Sequence, residues 1–516
     1  MLELSTFTGH TTAFLYVSAA ILPLWYLASY LISPLGQYPG PFLAGWTNLW
    51  RMFYVRRGDY HLVIHELHKK YGPVVRIAPN VLDLDIPELI KTIYNTKENY
   101  LKTEFYHGSS AVNDGKIIYN LFSQCNPAIH SAQKRPVSKY FSLNGILTHE
   151  PHVDKIIHYF AERLDEKFVD GPNASQVCDL GEWINYYTWD VVGQATFSQP
   201  IGYLEKGYDF DGTLKIANIA MDYFTMVGQM PILDHLLDKN PIYKIGPPSF
   251  GTITNISIQH LMNRLQGNNP GGHDSEKPDL LDKFIEAKGQ NPDAVDDMLI
   301  VSWLMVIMIA GADTTGITLN AALYYSMKQP SIWQRLKSEI PAQDPNSSLS
   351  VTSYKDSKDF PYLNAVIREA LRFHPGVAML LERYVPEGGL NLPDGRHVPA
   401  RAVVGMNPYV VQRNESVFGE DANTFRPDRW LRDESSETEE EFQQRLRLMN
   451  NADLSFGGGS RVCIGKHLAL VQVHKLLATL ISRYDMSLVD PAKEWSTHNS
   501  FFVRQSGIEV KLSRRT

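Results

Sequence analysis

Cysteine is scarce in this chain: 516 residues contain only Cys125, Cys178 and Cys463. So small and odd a count excludes a disulfide framework and points to a reducing compartment around the globular part. Asn-X-Ser matches at Asn173, Asn255, Asn346 and Asn414 then read as chance rather than as glycosylation sites. Excess positive charge is also missing, since the net charge is −7 and the pI about 6.2. That balance gives no support for nucleic-acid binding. Charge of either sign is absent between Glu3 and Arg51, and Thr11 to Ile32 is largely apolar. As a helix these 22 residues reach about 33 Å, against about 30 Å for a hydrocarbon core. The basic n-region of a cleavable signal is lacking, so the segment predicts an uncleaved anchor. Arg51, Arg56 and Arg57, the first basic residues, follow it and place the main domain on the cytosolic side. No internal repeat is present.

What remains is long enough, and at 44% hydrophobic apolar enough, for one large core or two lobes. Residues 1–37 read as the membrane anchor and 38–516 as a catalytic domain. Tyr38-Pro39-Gly40-Pro41-Phe42 is a stiff, non-helical elbow between them. Val74 to Ile77 and Val81 to Leu84, separated by Pro79-Asn80, predict a hairpin. Helical periodicity dominates elsewhere, for example over His149 to Val169 and Trp183 to Phe197. Val398 to Val404 is strand-like again. Gly267 to Pro278 predicts a flexible surface connection, and the acidic run Asp433 to Glu441 a solvated loop or helix face.

The densest chemistry lies in Phe456-Gly457-Gly458-Gly459-Ser460-Arg461-Val462-Cys463-Ile464-Gly465. A single cysteine sits on a glycine-rich turn before the helix-like segment Leu468 to Leu480. Each fixed position has a reason if Cys463 ligates haem iron. A thiolate pushes electron density onto iron and favours O–O cleavage. Free N–H groups at a helix start stabilise the negative sulfur. Gly459 and Gly465 let the backbone pass under a flat macrocycle, where a Cβ collides. Arg461 can pair with a propionate, and Phe456 can cover the sulfur from water. The other reading is a buried, inert thiol. A cysteine hydrolase using Cys463 and His467 fits the local spacing, but explains neither Arg461 nor the charged residues below.

This loop resembles the cysteine-ligand loop of the cytochrome P450 superfamily, and the resemblance extends over nearly the whole chain. It implies a mainly α fold with a smaller β region, preceded by one N-terminal transmembrane helix. It implies haem b, bound through the Cys463 thiolate between that loop and a central helix. A long helix from about Asp296 to Lys328 supplies the second matching motif, Ala310-Gly311-Ala312-Asp313-Thr314-Thr315. Residues Met298 to Ala312 carry no charge, a run too short for a bilayer and typical of a buried helix. By resemblance, Gly311 leaves room for dioxygen, Thr314 hydrogen-bonds it and Asp313 relays protons. Thr314 has an alternative, back-bonding to the Ala310 carbonyl.

Glu369-Ala370-Leu371-Arg372 is the third motif; a spacing of three puts its charges on one helix face. The resemblance adds Arg429, in Phe425-Arg426-Pro427-Asp428-Arg429-Trp430, to form a structural triad. His130 and Lys134 match the family's propionate-binding pattern with two substitutions, so either Lys134 or Arg135 takes that role. Arg383, nine residues after His374-Pro375, matches a further propionate partner. Phe105 to Cys125, Met221 to Ile232, Trp303 to Ala310, Gly376 to Leu381 and Asn499 to Val503 match substrate-facing segments.

The activity implied is a haem-dependent monooxygenase that inserts one atom of O₂ into a lipophilic small molecule. The style resembles fungal biosynthetic members acting on terpenoids, polyketides or alkaloids. No flavin or nicotinamide segment is present, so two electrons are expected from NADPH–cytochrome P450 reductase at the same endoplasmic reticulum membrane. Lys134, Arg135, Lys139, Lys466 and Lys475 are candidates for the basic face that meets it. The alternatives are a haem-thiolate isomerase or peroxygenase needing no reductase, or a non-catalytic haem or sterol binder. The Asp313-Thr314 pair speaks against the first.

Overall fold

One helix, Asp297–Lys328, runs through the middle of the protein, and its 32 residues extend about 48 Å. Asp296 caps it by accepting from the Leu299 N–H at 2.7 Å. Lys328 lies in the last turn, where a cation complements the helix dipole. Gln329, before Pro330, has already left the helical region at φ −120°, ψ 97°. The helix is buried on most of its circumference, which accounts for an apolar stretch without a polar stripe. Among the described residues it is the one helix long and apolar enough to cross a membrane. Here it is core instead, packed against Leu180–Phe197, Gly251–Leu265, Pro361–Phe373 and Lys466–Arg483.

The computed structural model describes residues 21–515 apart from 22–23, 25–26, 29, 31, 114, 175, 241, 244, 247–249, 269–272 and 345–346. Most of the expected anchor, residues 1–20 with several up to 31, therefore lies outside the described residues. Of the remainder, Ile21, Leu24, Leu27 and Ile32 are helical and exposed.

Helices dominate and the sheets are small. The hairpin expected around Pro79-Asn80 forms from Val74–Ala78 and Val81–Leu84, with Val75 opposite Asp83. Val403–Gly405 adds parallel to its second strand, and Arg383–Tyr384 closes the sheet antiparallel to Val403–Gly405. This order carries Arg383 from the sheet edge to the protein interior. Leu82, Val404, Met406 and Trp430 belong to a second, smaller core, separate from the main helical one. A C-terminal hairpin, Ser496–Ser500 with Phe502–Ser506, reaches the central helix, where the Gln505 amide donates to the Ile317 carbonyl at 3.0 Å.

The helical expectations hold with shifted ends: Glu150–Leu164 continues as a wider turn to Val169, and the next helix is Leu180–Phe197. The acidic run leads into an exposed helix, Glu439–Asn451. Thr438 and Glu441 form its capping box, and three glutamates occupy the first turn, where the dipole favours them. Gly267 to Pro278 joins Gly251–Leu265 to Leu280–Gln290, its residues 269–272 being outside the described set.

Candidate active site

Cys463 sits three residues before the first residue of the long helix Lys466–Arg483, at the end of a tight loop. Its N–H donates to the Phe456 carbonyl at 2.8 Å, which closes the loop on itself. Gly459 has φ +61°, and a Cβ there would stand 2.5 Å from the carbonyl oxygens of Tyr94 and Asn95. Only glycine fits. At Gly465 the nearest atom to an added Cβ is the Cys463 sulfur, 3.8 Å away. A side chain at 465 would thus fill the space beside the thiol without meeting a protein wall.

The surface that Cys463 exposes faces an interior cavity of about 300 Å³. Burial pushes its thiol above the ordinary range; the Gly465 and Lys466 N–H groups and the charges of Lys134 and Lys466 oppose that rise. The helix-start N–H groups therefore favour the thiolate, as the sequence suggests, but burial outweighs them in the free protein. Metal coordination deprotonates such a thiol outright.

The cavity spans from this loop to the central helix, whose Val306, Ala310, Gly311 and Thr314 form another wall. A Cβ on Gly311 would lie 3.2 Å from Val192 Cγ2, so this glycine also sets how closely helix Leu180–Phe197 approaches. Thr314 lines the cavity, and its hydroxyl donates to the Ala310 carbonyl at 2.8 Å. Asp313 is absent from the lining. Its carboxylate instead accepts from Trp189 Nε1 at 3.0 Å. Burial raises the Asp313 pKa, against the opposing pull of Trp189 and Arg504.

Four cationic side chains reach the cavity: Lys102, Lys134, Arg383 and Arg461. Arg461 is held by Glu98 through Nε and Nη2 at 3.0 and 2.8 Å, and donates to the Gln124 carbonyl at 2.6 Å. Lys134 donates to the Ser460 carbonyl at 2.9 Å. Arg383 reaches the Tyr106 hydroxyl at 3.2 Å. Lys102 is buried, its ammonium 3.7 Å from the centre of the Tyr106 ring and 4.3 Å from that of Phe122. Burial, with Arg383 and Arg461 beside it, drives the Lys102 pKa well below its usual value. Burial, then the charges of Arg461, Lys134 and Lys102, push His130 down to about 3, so it is neutral. Arg135 is exposed and does not line the cavity.

Lys102 escaped sequence reasoning because no neighbouring residue marks it, and its role depends on a ring of cations drawn from four segments. So many positive charges against one bonded carboxylate, Glu98, leave the cavity edge short of anions. An apolar macrocycle with two carboxylates and a thiolate-accepting iron supplies what this donor set lacks. The residues present fit haem.

The triad is assembled as expected. Arg372 donates to both oxygens of Glu369, at 2.9 and 2.7 Å, and Arg429 Nε to one of them at 3.0 Å. The Trp430 indole and the Arg426 N–H complete the shell at 2.9 and 2.8 Å. Both arginines also cap carbonyls of the segment 412–424, so the network pins the chain that leads to the cysteine loop. On the expected basic face, Lys475 is fully buried and paired with Glu150 and with Asp154, the latter at 2.8 Å. It is no part of the surface. Arg135 and Lys139 are exposed, and Lys466 is half-buried.

A model of the cytochrome P450 family matches residues 39–512. A "cytochrome P450 monooxygenase cfoH" of Aspergillus candidus is 46% identical over 98% of this chain and 93% of its own length. A "cytochrome P450 monooxygenase cicH" of Emericella nidulans is 35% identical over 93% and 94%. A "cytochrome P450 monooxygenase gsfF" of Penicillium aethiopicum is 33% identical over 95% and 96%. With the Cys463 loop facing the central helix across one cavity, these matches show that the chain belongs to the cytochrome P450 family, an enzyme with monooxygenase activity whose haem iron takes a cysteine thiolate.

Proposed function

We propose that this protein inserts one oxygen atom of O₂ into a neutral-to-lipophilic secondary metabolite of the terpenoid, polyketide or alkaloid kind. Electrons come from NADPH–cytochrome P450 reductase, and an N-terminal anchor holds the enzyme in the endoplasmic reticulum membrane with its catalytic domain in the cytosol. The single observation that carries the reaction is that Cys463 and Thr314 look into the same largely apolar cavity from different walls.

Bound haem supplies an iron centre that activates O₂ with two electrons and transfers one oxygen to substrate. The protein's own residues do the rest. Cys463 would hold the iron through its thiolate, and Phe456 and the glycine turn shape its surroundings. Lys102, Lys134, Arg383 and Arg461 would hold the carboxylate edge of the group, with Arg461 positioned by Glu98. Thr314 offers its oxygen to the reacting side of the cavity, while Asp313 keeps a buried carboxyl one residue away for proton movement. Phe122, Phe224 and Phe501 exclude water from the substrate space.

Exposed apolar side chains at Ile32, Phe42, Leu43 and Phe53 continue from the N-terminal segment and support the anchor. Arg135, Lys139 and Lys466 remain as the basic face for the reductase. The test is turnover of candidate metabolites with NADPH, added reductase and ¹⁸O₂. Product carrying one labelled atom, only when reductase is present, is the expected result; product formed with no NADPH consumed sinks the reading. Deleting residues 1–38 should release the protein from membranes with its haem spectrum intact.

A further inference from the structure

The substrate side of the cavity is built from phenyl rings brought together from three distant segments. Phe122 comes from the loop before helix Pro127–Lys134, Phe224 from helix Thr213–Val227 and Phe501 from the turn of the C-terminal hairpin. All three line the cavity. Their centroids form a closed triangle, 5.3 Å for Phe122–Phe501, 5.4 Å for Phe224–Phe501 and 6.1 Å for Phe122–Phe224. Interplanar angles of 72°, 59° and 82° show the rings packed on one another. Phe224 and Phe501 are 0 and 3% exposed and Phe122 half-buried, so a guest meets Phe122 first and engages the other two by parting the cluster. Phe105 buttresses the group from behind, 5.1 Å from Phe224.

Phe501 is held there at a conformational cost. Its φ is +73°, a region that bulky side chains rarely enter. Backbone bonds fix the turn: Ala378 N–H donates to the Phe501 carbonyl at 3.3 Å, and Val503 N–H to the Gly376 carbonyl at 3.2 Å. The Asn499 amide adds a third tie, to the Ala378 carbonyl at 2.8 Å. Strain that persists because surrounding bonds over-determine it is a mark of a working position.

The hydroxyl and amide side chains nearest the three rings are already engaged. The hydroxyls of Thr314, Thr315 and Thr318 donate to carbonyls of their own helix at 2.8, 2.9 and 3.1 Å. Ser109 donates to the Tyr106 carbonyl, and Asn120 donates to Ser109 and accepts from Phe122 and Ser123 N–H. The charged side chains among the lining residues are the four cations assigned above to the haem edge. Gln472, whose Oε1 has no partner, lines the cavity on helix Lys466–Arg483 beside the Cys463 loop; around the three rings the hydroxyl and amide groups named are engaged.

We propose that the substrate is a planar, uncharged aromatic polycycle, gripped by Phe122, Phe224 and Phe501, and that Phe501 is the principal specificity-determining residue. The proposal rests on the monooxygenase reading above and narrows its substrate class. A correctly oriented aromatic pair favours an arene over a saturated guest by about 2- to 13-fold beyond burial alone. Several such contacts give at least a tenfold preference.

The test is isothermal titration of the full-length, haem-loaded protein with three probes of similar size: xanthone, xanthone-2-carboxylate and the saturated tricyclic alcohol cedrol. Xanthone is expected to bind at least tenfold tighter than either of the others. Phe501→Leu and, separately, Phe224→Leu should bring the xanthone-to-cedrol ratio to about threefold or less, leaving cedrol binding little changed; haem content checks that each variant is folded. Cedrol binding as tightly as xanthone, no measurable xanthone binding, or an unchanged ratio in both folded variants overturns the proposal. Tighter binding of the carboxylate overturns it too, and would assign Lys102 to a substrate anion. Oxygenation with NADPH and reductase is scored separately. Cedrol bound and oxygenated would sink the substrate class but keep the monooxygenase reading. Xanthone-selective binding by an enzyme that oxygenates no substrate would do the reverse.

Discussion

Trp189 donates its indole N–H to Asp313 across 3.0 Å, joining helix Leu180–Phe197 to the central helix behind the cavity wall. Burial raises the Asp313 pKa, and this bond is the first of the forces that hold it down. Trp189→Phe keeps most of the volume and removes the donor, so the Asp313 pKa should rise further. Product formed per NADPH, followed against pH, should show its midpoint move upward. A profile that stays in place means Asp313 is not the group that titrates in turnover.

The same group has a stability signature. Its folded pKa lies above the ordinary carboxylate value, so the folded state binds the extra proton between those two values. Stability from this group therefore falls as pH rises through that window. Asp313→Asn should abolish this slope, and Trp189→Phe should extend it to higher pH. Melting temperatures of the three proteins across mildly acidic to neutral pH check the sign.

Glu369 titrates in the opposite sense. Burial alone would raise its pKa, but Arg372 and Arg429 together hold it below the ordinary range. Its contribution is therefore present above the unfolded carboxylate pKa and is lost as pH falls through the folded one. Glu369→Gln strands two buried guanidinium groups, which typically costs about 3–5 kcal/mol. Denaturant unfolding should show that loss at neutral pH together with a shallower acid limb. Haem retention should fall as well, because the network pins residues 412–424 on the way to the Cys463 loop.

Lys102 offers a sharper separation of cofactor binding from folding. Its ammonium is buried among Arg383, Arg461, Tyr106 and Phe122, and its pKa is well below normal in the free protein. An anion bound at this edge would restore the charge. Lys102→Met removes a buried amine whose charge burial suppresses, together with its bond to the Phe122 carbonyl, so the unliganded fold should change little in stability. Haem affinity should nonetheless drop by about 10- to 100-fold, the worth of one charge-assisted hydrogen bond. Haem transfer to an excess of apomyoglobin measures it. Equal transfer rates for both proteins would remove Lys102 from the cofactor edge.

The legible parts of this molecule were those whose logic is written in consecutive residues. The Cys463 loop, the charge-free run of the central helix and the Val74–Leu84 hairpin each carry their turn residues and periodicity locally. The Glu369–Arg372 pair was visible at helical spacing, although Trp430 and the Arg426 N–H as further partners were not. Lys102, Trp189 and the phenyl triangle were hidden because each acquires its meaning from segments a hundred or more residues away. Lys475 shows the same limit in reverse. It reads as a surface lysine, yet Glu150 and Asp154, one turn apart on helix Glu150–Leu164, draw it inside.

Thr314 is where the two readings of one residue can be separated. Its hydroxyl donates to the Ala310 carbonyl, so the proton is engaged within the helix, while the residue lines the cavity and its oxygen keeps a lone pair to accept with. Thr314→Ala removes that oxygen and keeps a small side chain, so the apolar cavity and substrate affinity should change little. Losing a preorganised polar group at a reacting centre can cost about 10²–10³-fold in rate, but water can replace part of a proton relay, so the expected loss of product is about tenfold. NADPH consumption should continue, with its electrons appearing as hydrogen peroxide. The measurement is product per NADPH with peroxide titrated in parallel, in Thr314→Ala and in Thr314→Ser. Serine restores the hydroxyl and should recover most of the coupling. An alanine variant as well coupled as the native enzyme would leave Thr314 a back-bonded helix residue. Proton delivery would then fall to Thr315, whose hydroxyl makes the equivalent bond to Gly311 and also lines the cavity.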